Sequence, residues 1–218
     1  MFERLIALVF PLRCPFCGES VSENDYACHK CKDQVKLHKF KEKVFPDDDS
    51  NDLMCVAPYL YDGQVKDAIW KFKFKNRNDL AKTFANVMTM TIIEKYVGDS
   101  FDVITSVPLY EGDSNKRGYN QAELLAKNIA KKLKLKHKKL LSKPIKNLVQ
   151  HDLDYKDRAK NVKGVYRAEK ISDIANKRIL LCDDILTTGN TVNECANVLK
   201  KAGAKDVKCV TIAVARKF

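Results

Sequence analysis

Apolar positions along this chain fall into two patterns. Some form short continuous runs, as buried strands do, and others recur every three or four residues, as amphipathic helices do. Residues 53–60 and 101–107 are continuous runs too short for an ordinary helix and predict strands. Between them, Val65, Ala68, Ile69 and Phe72 mark a short helix. Leu80, Phe84, Val87, Thr91 and Ile92 mark a longer one, capped by Asn78 or Asp79. A third helix starts near Asn120 and buries Ala122, Leu125, Ala126, Ile129 and Leu133. Farther on, Ile179-Leu-Leu-Cys182 predicts a strand, and Val192, Cys195, Ala196 and Leu199 a helix capped by Thr191. Gly203 stops that helix, and residues 207–214 predict the last strand. Residues 3–10 predict two amphipathic turns that pack on whatever follows. Strands and helices in this alternation predict an α/β domain.

The first forty residues follow a different rule. Cys14-Pro-Phe-Cys17 and Cys28-His-Lys-Cys31 are two C-x-x-C knuckles ten residues apart, and four thiolates from two tight turns suit tetrahedral zinc. No thioredoxin-like βαβ pattern surrounds them to suggest a redox pair, and His29 reads as a bystander. Four protein ligands leave no open position, so such a zinc is structural and supplies folding energy to a segment too short for its own core. Residues 39–52 are charged, with Pro46 and Asp47-Asp-Asp49, and read as a linker. The expected division is therefore a zinc-binding module over 1–45 and a larger domain over 46–218. The apolar run near the N-terminus has no small-residue cleavage site and is too short to span a bilayer. The chain thus reads as cytoplasmic and not membrane-spanning, where cysteines stay reduced and bind metal rather than form disulfides.

Forty basic residues against 28 acidic ones, a net charge of +12, favour a polyanion or an anionic small molecule as partner. An abundance of surface lysine accounts for the same number. Two stretches carry the same ambiguity. Trp70-Lys-Phe-Lys-Phe-Lys-Asn-Arg77 interleaves aromatics with cations, as a single-strand platform does, or is a helix end with its rings in the core. Residues 131–139 hold six lysines and one histidine, either a phosphate track or a solvated helix end.

The chemistry concentrates at residues 178–191. A buried strand ends in Asp183 and Asp184, and Thr187, Thr188, Gly189, Asn190 and Thr191 then lead into a helix. Amides turned toward one point, a helix N-terminus and three hydroxyls make a phosphate site. The two carboxylates repel phosphate and pair with neutral hydroxyls or a divalent cation, so a phosphate beside a diol describes a ribose 5-phosphate. A second loop follows the strand at 101–107. It holds Pro108, Leu109, Lys116, Arg117 and Gly118, a basic loop at the strand end where doubly wound sheets bind anions. Together the two loops suit a ligand phosphorylated at both ends. The polar stretch at 140–166 reads as a lid.

Cys182-Asp-Asp-Ile-Leu-Thr-Thr-Gly-Asn-Thr191 resembles the phosphoribosyl-pyrophosphate motif of type I phosphoribosyltransferases. Cys182 and Asn190 stand where that pattern more often has an aliphatic and a small residue. With the two knuckles, residues 69–75, Val107-Pro-Leu109, Arg117-Gly-Tyr-Asn-Gln-Ala122, Gln150, Arg158 and Asn161, the chain is similar to the ComF-type competence proteins. Arg117-Gly-Tyr-Asn-Gln-Ala122 discriminates best, because most nucleotide-salvage phosphoribosyltransferases lack it. Asn147 departs from the Thr common in that family.

The resemblance implies a mostly parallel sheet flanked by helices. It also implies a role in DNA uptake and natural transformation, with single-stranded DNA and a helicase-like competence protein as partners. As an enzyme, such a protein binds phosphoribosyl pyrophosphate with magnesium and transfers the ribosyl group. Asp183 and Asp184 then hold the ribose hydroxyls, and the 187–191 loop holds the 5-phosphate. Lys116 and Arg117, with the Pro108 loop, take the pyrophosphate end, and Lys143 or Arg158 serves as a lid cation. Magnesium sits chiefly on the ligand's own oxygens. The other reading is a non-catalytic module that keeps the fold to bind single-stranded DNA or sense the ligand.

Overall fold

The computed structural model describes residues 12–44, 53–110, 118–145 and 164–215. The turns expected over 3–10, together with Lys116, Arg117, Asn147, Gln150, Arg158 and Asn161, lie outside them.

The main sheet has six strands: β1 (Lys41–Lys43), β2 (Met54–Val56), β4 (Val103–Ser106), β5 (Lys136–His137), β8 (Arg178–Cys182) and β10 (Asp206–Val210). Their spatial order is β1-β2-β10-β8-β4-β5, parallel throughout except for β1. β1 corrects part of the linker reading. Its Lys-Glu-Lys sequence is that of a charged edge strand, a composition that discourages further pairing.

Two predicted strands are each broken in two. After β2 the chain bends through Ala57-Pro58 and resumes as β3 (Tyr59–Leu60). After β10 it bends at Thr211-Ile212 and resumes as β11 (Ala213–Val214). β8 does the same, continuing as β9 (Ile185–Leu186). These three pieces form a second parallel sheet, β3-β11-β9, in the order of their parent strands. Asp183 and Asp184 are the break in β8. A short antiparallel pair, β6 (Leu141–Ser142) with β7 (Arg167–Ala168), lies apart.

Helices α1 (Gly63–Phe74), α2 (Leu80–Lys95) and α3 (Gln121–Leu133) share one core, and α5 (Asn190–Lys201) shares another with the short α4 (Ile171–Ile174). Period-two alternation sorts β8 between them: Leu180 and Cys182 join the first core, Ile179 and Leu181 the second. The predicted helix faces are the buried ones, including Val65, Ala68, Ile69 and Phe72 on α1. Thr191 is not the α5 cap. Gly189 occupies that position at φ 81°, a left-handed conformation that costs glycine no Cβ clash. No helix among the described residues is long and apolar enough to cross a membrane.

Candidate functional site

β4 leads through α3 to β5 on one edge, whereas β8 leads through α5 to β10 toward the other. The strand order therefore reverses between β4 and β8, and a crevice opens there at the strand carboxyl ends. Both predicted loops start at this point, because Ser106 and Cys182 are register partners and the Val107 amide donates to the Cys182 carbonyl at 3.0 Å.

On the β8 side both backbone amides of the acid pair and the Asp184 carbonyl are hydrogen-bonded. The Asp183 amide donates to the Val210 carbonyl and the Asp184 carbonyl accepts from Ile212, each at 3.0 Å. The Asp184 amide donates to Asp183 Oδ1 at 2.8 Å. Burial first, and then the Asp184 charge, push the Asp183 carboxyl up to about 7, while Lys73 and Lys143 pull it the other way. Thr187 is exposed, Thr188 and Thr191 are half-buried, and Asn190 is buried in the first turn of α5. The Asn190 Nδ2 amide is buried with no hydrogen-bond partner among the described residues, a donor left open beside the 187–191 loop.

On the β4 side a cavity of about 510 Å³ is lined by Pro108, Leu109, Asn120, Glu123, Ser142 and Lys143, among others. The Lys143 ammonium lies 5.5 Å from the Tyr166 ring centroid. Asn120 ties this side together: its Oδ1 accepts from the Glu123 amide at 3.3 Å, capping α3, and its Nδ2 donates to the Val107 carbonyl at 3.0 Å. Gly118 is exposed, just ahead of that cap.

Sequence reasoning missed Lys73. From the last turn of α1 its Nζ reaches Asp184 Oδ1 at 2.8 Å, with the two side chains 21% and 17% exposed. The aromatic–lysine stretch is therefore divided. Phe72 is core, Lys73 belongs to the acid pair, and Trp70 and Phe74 are 48% and 54% exposed. Lys75 sits 5.1 Å from the Trp70 ring centroid. The 131–139 run is also partly engaged, with Lys132, Lys138 and Lys139 paired to Glu23, Asp173 and Glu123.

Away from the crevice, the sulfurs of Cys14, Cys17, Cys28 and Cys31 lie within 4.8 Å of one another, the one such metal-ligand group among the described residues. The knuckles close as tight turns: Gly18 N donates to Cys14 O at 2.9 Å and Cys31 N to Cys28 O at 3.0 Å. Four thiols on two turns fit a structural zinc. The cysteine-bearing module is docked rather than tethered. Thr83 Oγ1 and Asn86 Nδ2, on α2, donate to the Arg13 and Glu23 carbonyls at 2.9 and 2.7 Å. The Phe16 ring packs edge-on against Tyr59 at 5.5 Å, and the Tyr59 hydroxyl donates to the Tyr26 carbonyl.

Fold and site together define a phosphoribosyltransferase-type α/β domain carrying a zinc ribbon. The phosphoribosyl transferase domain family matches residues 120–217, and the double zinc ribbon domain family residues 5–42. Competence protein F of Haemophilus influenzae is 28% identical over 199 residues, covering 89% of this chain and 82% of its own. DNA utilization protein YhgH of Escherichia coli K12 is 25% identical over 199 residues, covering 89% and 81%. Competence protein ComFC of Streptococcus pneumoniae is 31% identical over 166 residues, covering 72% and 66%. The chain belongs to the ComF-like family.

Proposed function

We propose that the crevice between β4 and β8 binds phosphoribosyl pyrophosphate with magnesium, and that the protein uses this site in DNA uptake and natural transformation on the cytoplasmic side of the membrane. The observation that carries the reading is the meeting of two carboxylates with a glycine-initiated helix N-terminus and the open Asn190 amide, at the point where the strand order reverses. In this reading Asp183 and Asp184 accept the ribose hydroxyls. Thr187, Thr188, Thr191 and the amides around Gly189 hold the 5-phosphate, and Lys143 and the Pro108–Leu109 backbone flank the pyrophosphate end. Lys116, Arg117 and Arg158 keep the roles that the family resemblance gives them.

Departure of pyrophosphate from C1 leaves an oxocarbenium-like centre, so the residues act by orientation and by placing charge where it develops. Magnesium, when bound, neutralises pyrophosphate oxygens and makes that group a better leaving group. The names of the relatives, competence and DNA utilization proteins, support the pathway.

A second role has its own observation. Trp70 and Phe74 expose their rings on one helix end beside Lys71 and Lys75, an arrangement suited to stacking bases of single-stranded DNA. A pyrophosphate-release assay with a panel of acceptors, single-stranded DNA included, separates the two classes of function. Acceptor-dependent release is the result expected of a transferase. Ligand binding without release under any acceptor leaves a sensor or DNA-binding module, and the transfer step falls.

A further inference from the structure

We infer that Lys73 is a positioning residue of the ligand site, acting through Asp184 and itself held in place by Tyr119 and Gln121. The inference rests on the reading of Asp183 and Asp184 as ribose ligands. Two half-buried carboxylates side by side repel each other and any phosphorylated ligand, and the crevice needs a cation to offset them. Lys73 supplies it at 2.8 Å. Because its Nζ takes up Asp184 Oδ1, that carboxylate has a fixed orientation, and its other oxygen keeps the lone pairs a hydroxyl donor requires. The pair is only partly exposed, so water screens it less than a surface pair.

A lysine near the end of a helix is ordinarily mobile, and here the helix end is clamped. The Tyr119 hydroxyl donates to the Phe72 carbonyl, and Gln121 Nε2 donates to the Lys73 carbonyl at 3.3 Å. These carbonyls belong to the last turn of α1, where no further helix amide satisfies them. Asn120, between the two, holds the Val107 carbonyl at the start of the Pro108 loop. The segment Tyr119-Asn-Gln121 thus joins the α1 end to the β4 loop and so sets where Lys73 stands against Asp184. That gives this tripeptide a physical reason beyond helix capping. It also removes Lys73 from any surface DNA track.

The test is calorimetric titration of the zinc-loaded full-length protein with magnesium phosphoribosyl pyrophosphate, each variant checked by thermal unfolding. Lys73→Met is expected to bind at least about tenfold more weakly, as truncating one member of a partly buried charge pair does. Lys73→Arg restores most of the affinity, because a cation is returned, which a packing role for the lysine stem would not predict. Gln121→Ala weakens binding less. The double variant Lys73→Met/Gln121→Ala is no worse than Lys73→Met alone, since the clamp acts only through the lysine. Wild-type affinity in Lys73→Met, or fully additive losses in the double variant, overturns the inference. An Asp183→Asn/Asp184→Asn control separates the two levels of the argument. If the control loses binding and Lys73→Met does not, only the role of Lys73 is wrong. If the control binds like wild type, the site reading fails and this inference with it.

Discussion

Removing the ribbon's zinc should destabilise the whole α/β domain, not the N-terminal segment alone. The sulfur cluster and the domain share one core: Cys14, Cys28 and Cys31 are buried with Tyr59, Phe72 and Phe84. When the ribbon unfolds, Thr83 and Asn86, now 3% and 4% exposed, lose their carbonyl partners, and Tyr59 loses both its hydrogen bond and its ring contacts. Three side-chain hydrogen bonds at about 1 kcal/mol each and the uncovering of one large side chain at about 2 kcal/mol bring the cost to the domain near 5 kcal/mol. That is a large share of a stability typically about 5–15 kcal/mol. For a domain of this size it corresponds to a fall in Tm of roughly 10–20 °C. Trp70, the one tryptophan, lies on α1 outside the ribbon, so its fluorescence follows the α/β domain. The assay is thermal unfolding by Trp70 fluorescence with and without chelator, with zinc release followed in parallel. If zinc leaves and the Trp70 transition moves by less than about 2 °C, less than about 1 kcal/mol for a domain of this size, the ribbon is an independent module and the shared-core argument is wrong.

Two further expectations concern pH and nucleic acid. The folded Asp183 carboxyl is raised to about 7 from an ordinary 3.8, so its stabilising contribution is complete below the lower value and lost as pH rises through the upper. In the proposed reading ligand binding needs the carboxylate, so affinity should rise over the same upper range. Opposite slopes of Tm and affinity about one unit either side of neutrality, both abolished by Asp183→Asn, check this, and parallel slopes refute it. For single-stranded DNA, Lys71→Ala/Lys75→Ala should flatten the log-affinity against log-salt slope by about 1.4 units, at roughly 0.7 per phosphate contact. Phe74→Ala should cost on the order of 1–3 kcal/mol at every salt concentration. Salt titrations in which neither variant differs from wild type assign the exposed rings no part in DNA binding.

The acid pair, the threonine loop and the cysteine knuckles could be read from the sequence because each is contiguous, and local spacing carries the chemistry. The two-sheet break could not. Residues 53–60 and 207–214 are apolar on both sides of their bends, and the break exists because three neighbouring strands turn at one level. β1 was hidden for the opposite reason, since a Lys-Glu-Lys edge strand has the composition of a linker. Lys73 was hidden among alternating lysines, only one of which faces Asp184. A signal was present: Lys73 follows Ile69 by four residues and adjoins Phe72, which places it on the border of the buried face of α1. The distinctive Tyr119-Asn-Gln121 segment could be recognised as a mark, but its purpose depends on carbonyls nearly fifty residues upstream.

The most direct test of the central claim is calorimetric binding of magnesium phosphoribosyl pyrophosphate to the zinc-loaded protein and to its Asp183→Asn/Asp184→Asn variant. Those side chains stand at a strand break and, in the proposed reading, serve a ligand rather than the core, so the variant should keep the wild-type unfolding midpoint or exceed it. It should also lose at least about tenfold in affinity, the equivalent of roughly 1.4 kcal/mol. Equal affinities in two equally folded proteins would contradict the account, because the acids at the switch point would then have no part in holding the ligand.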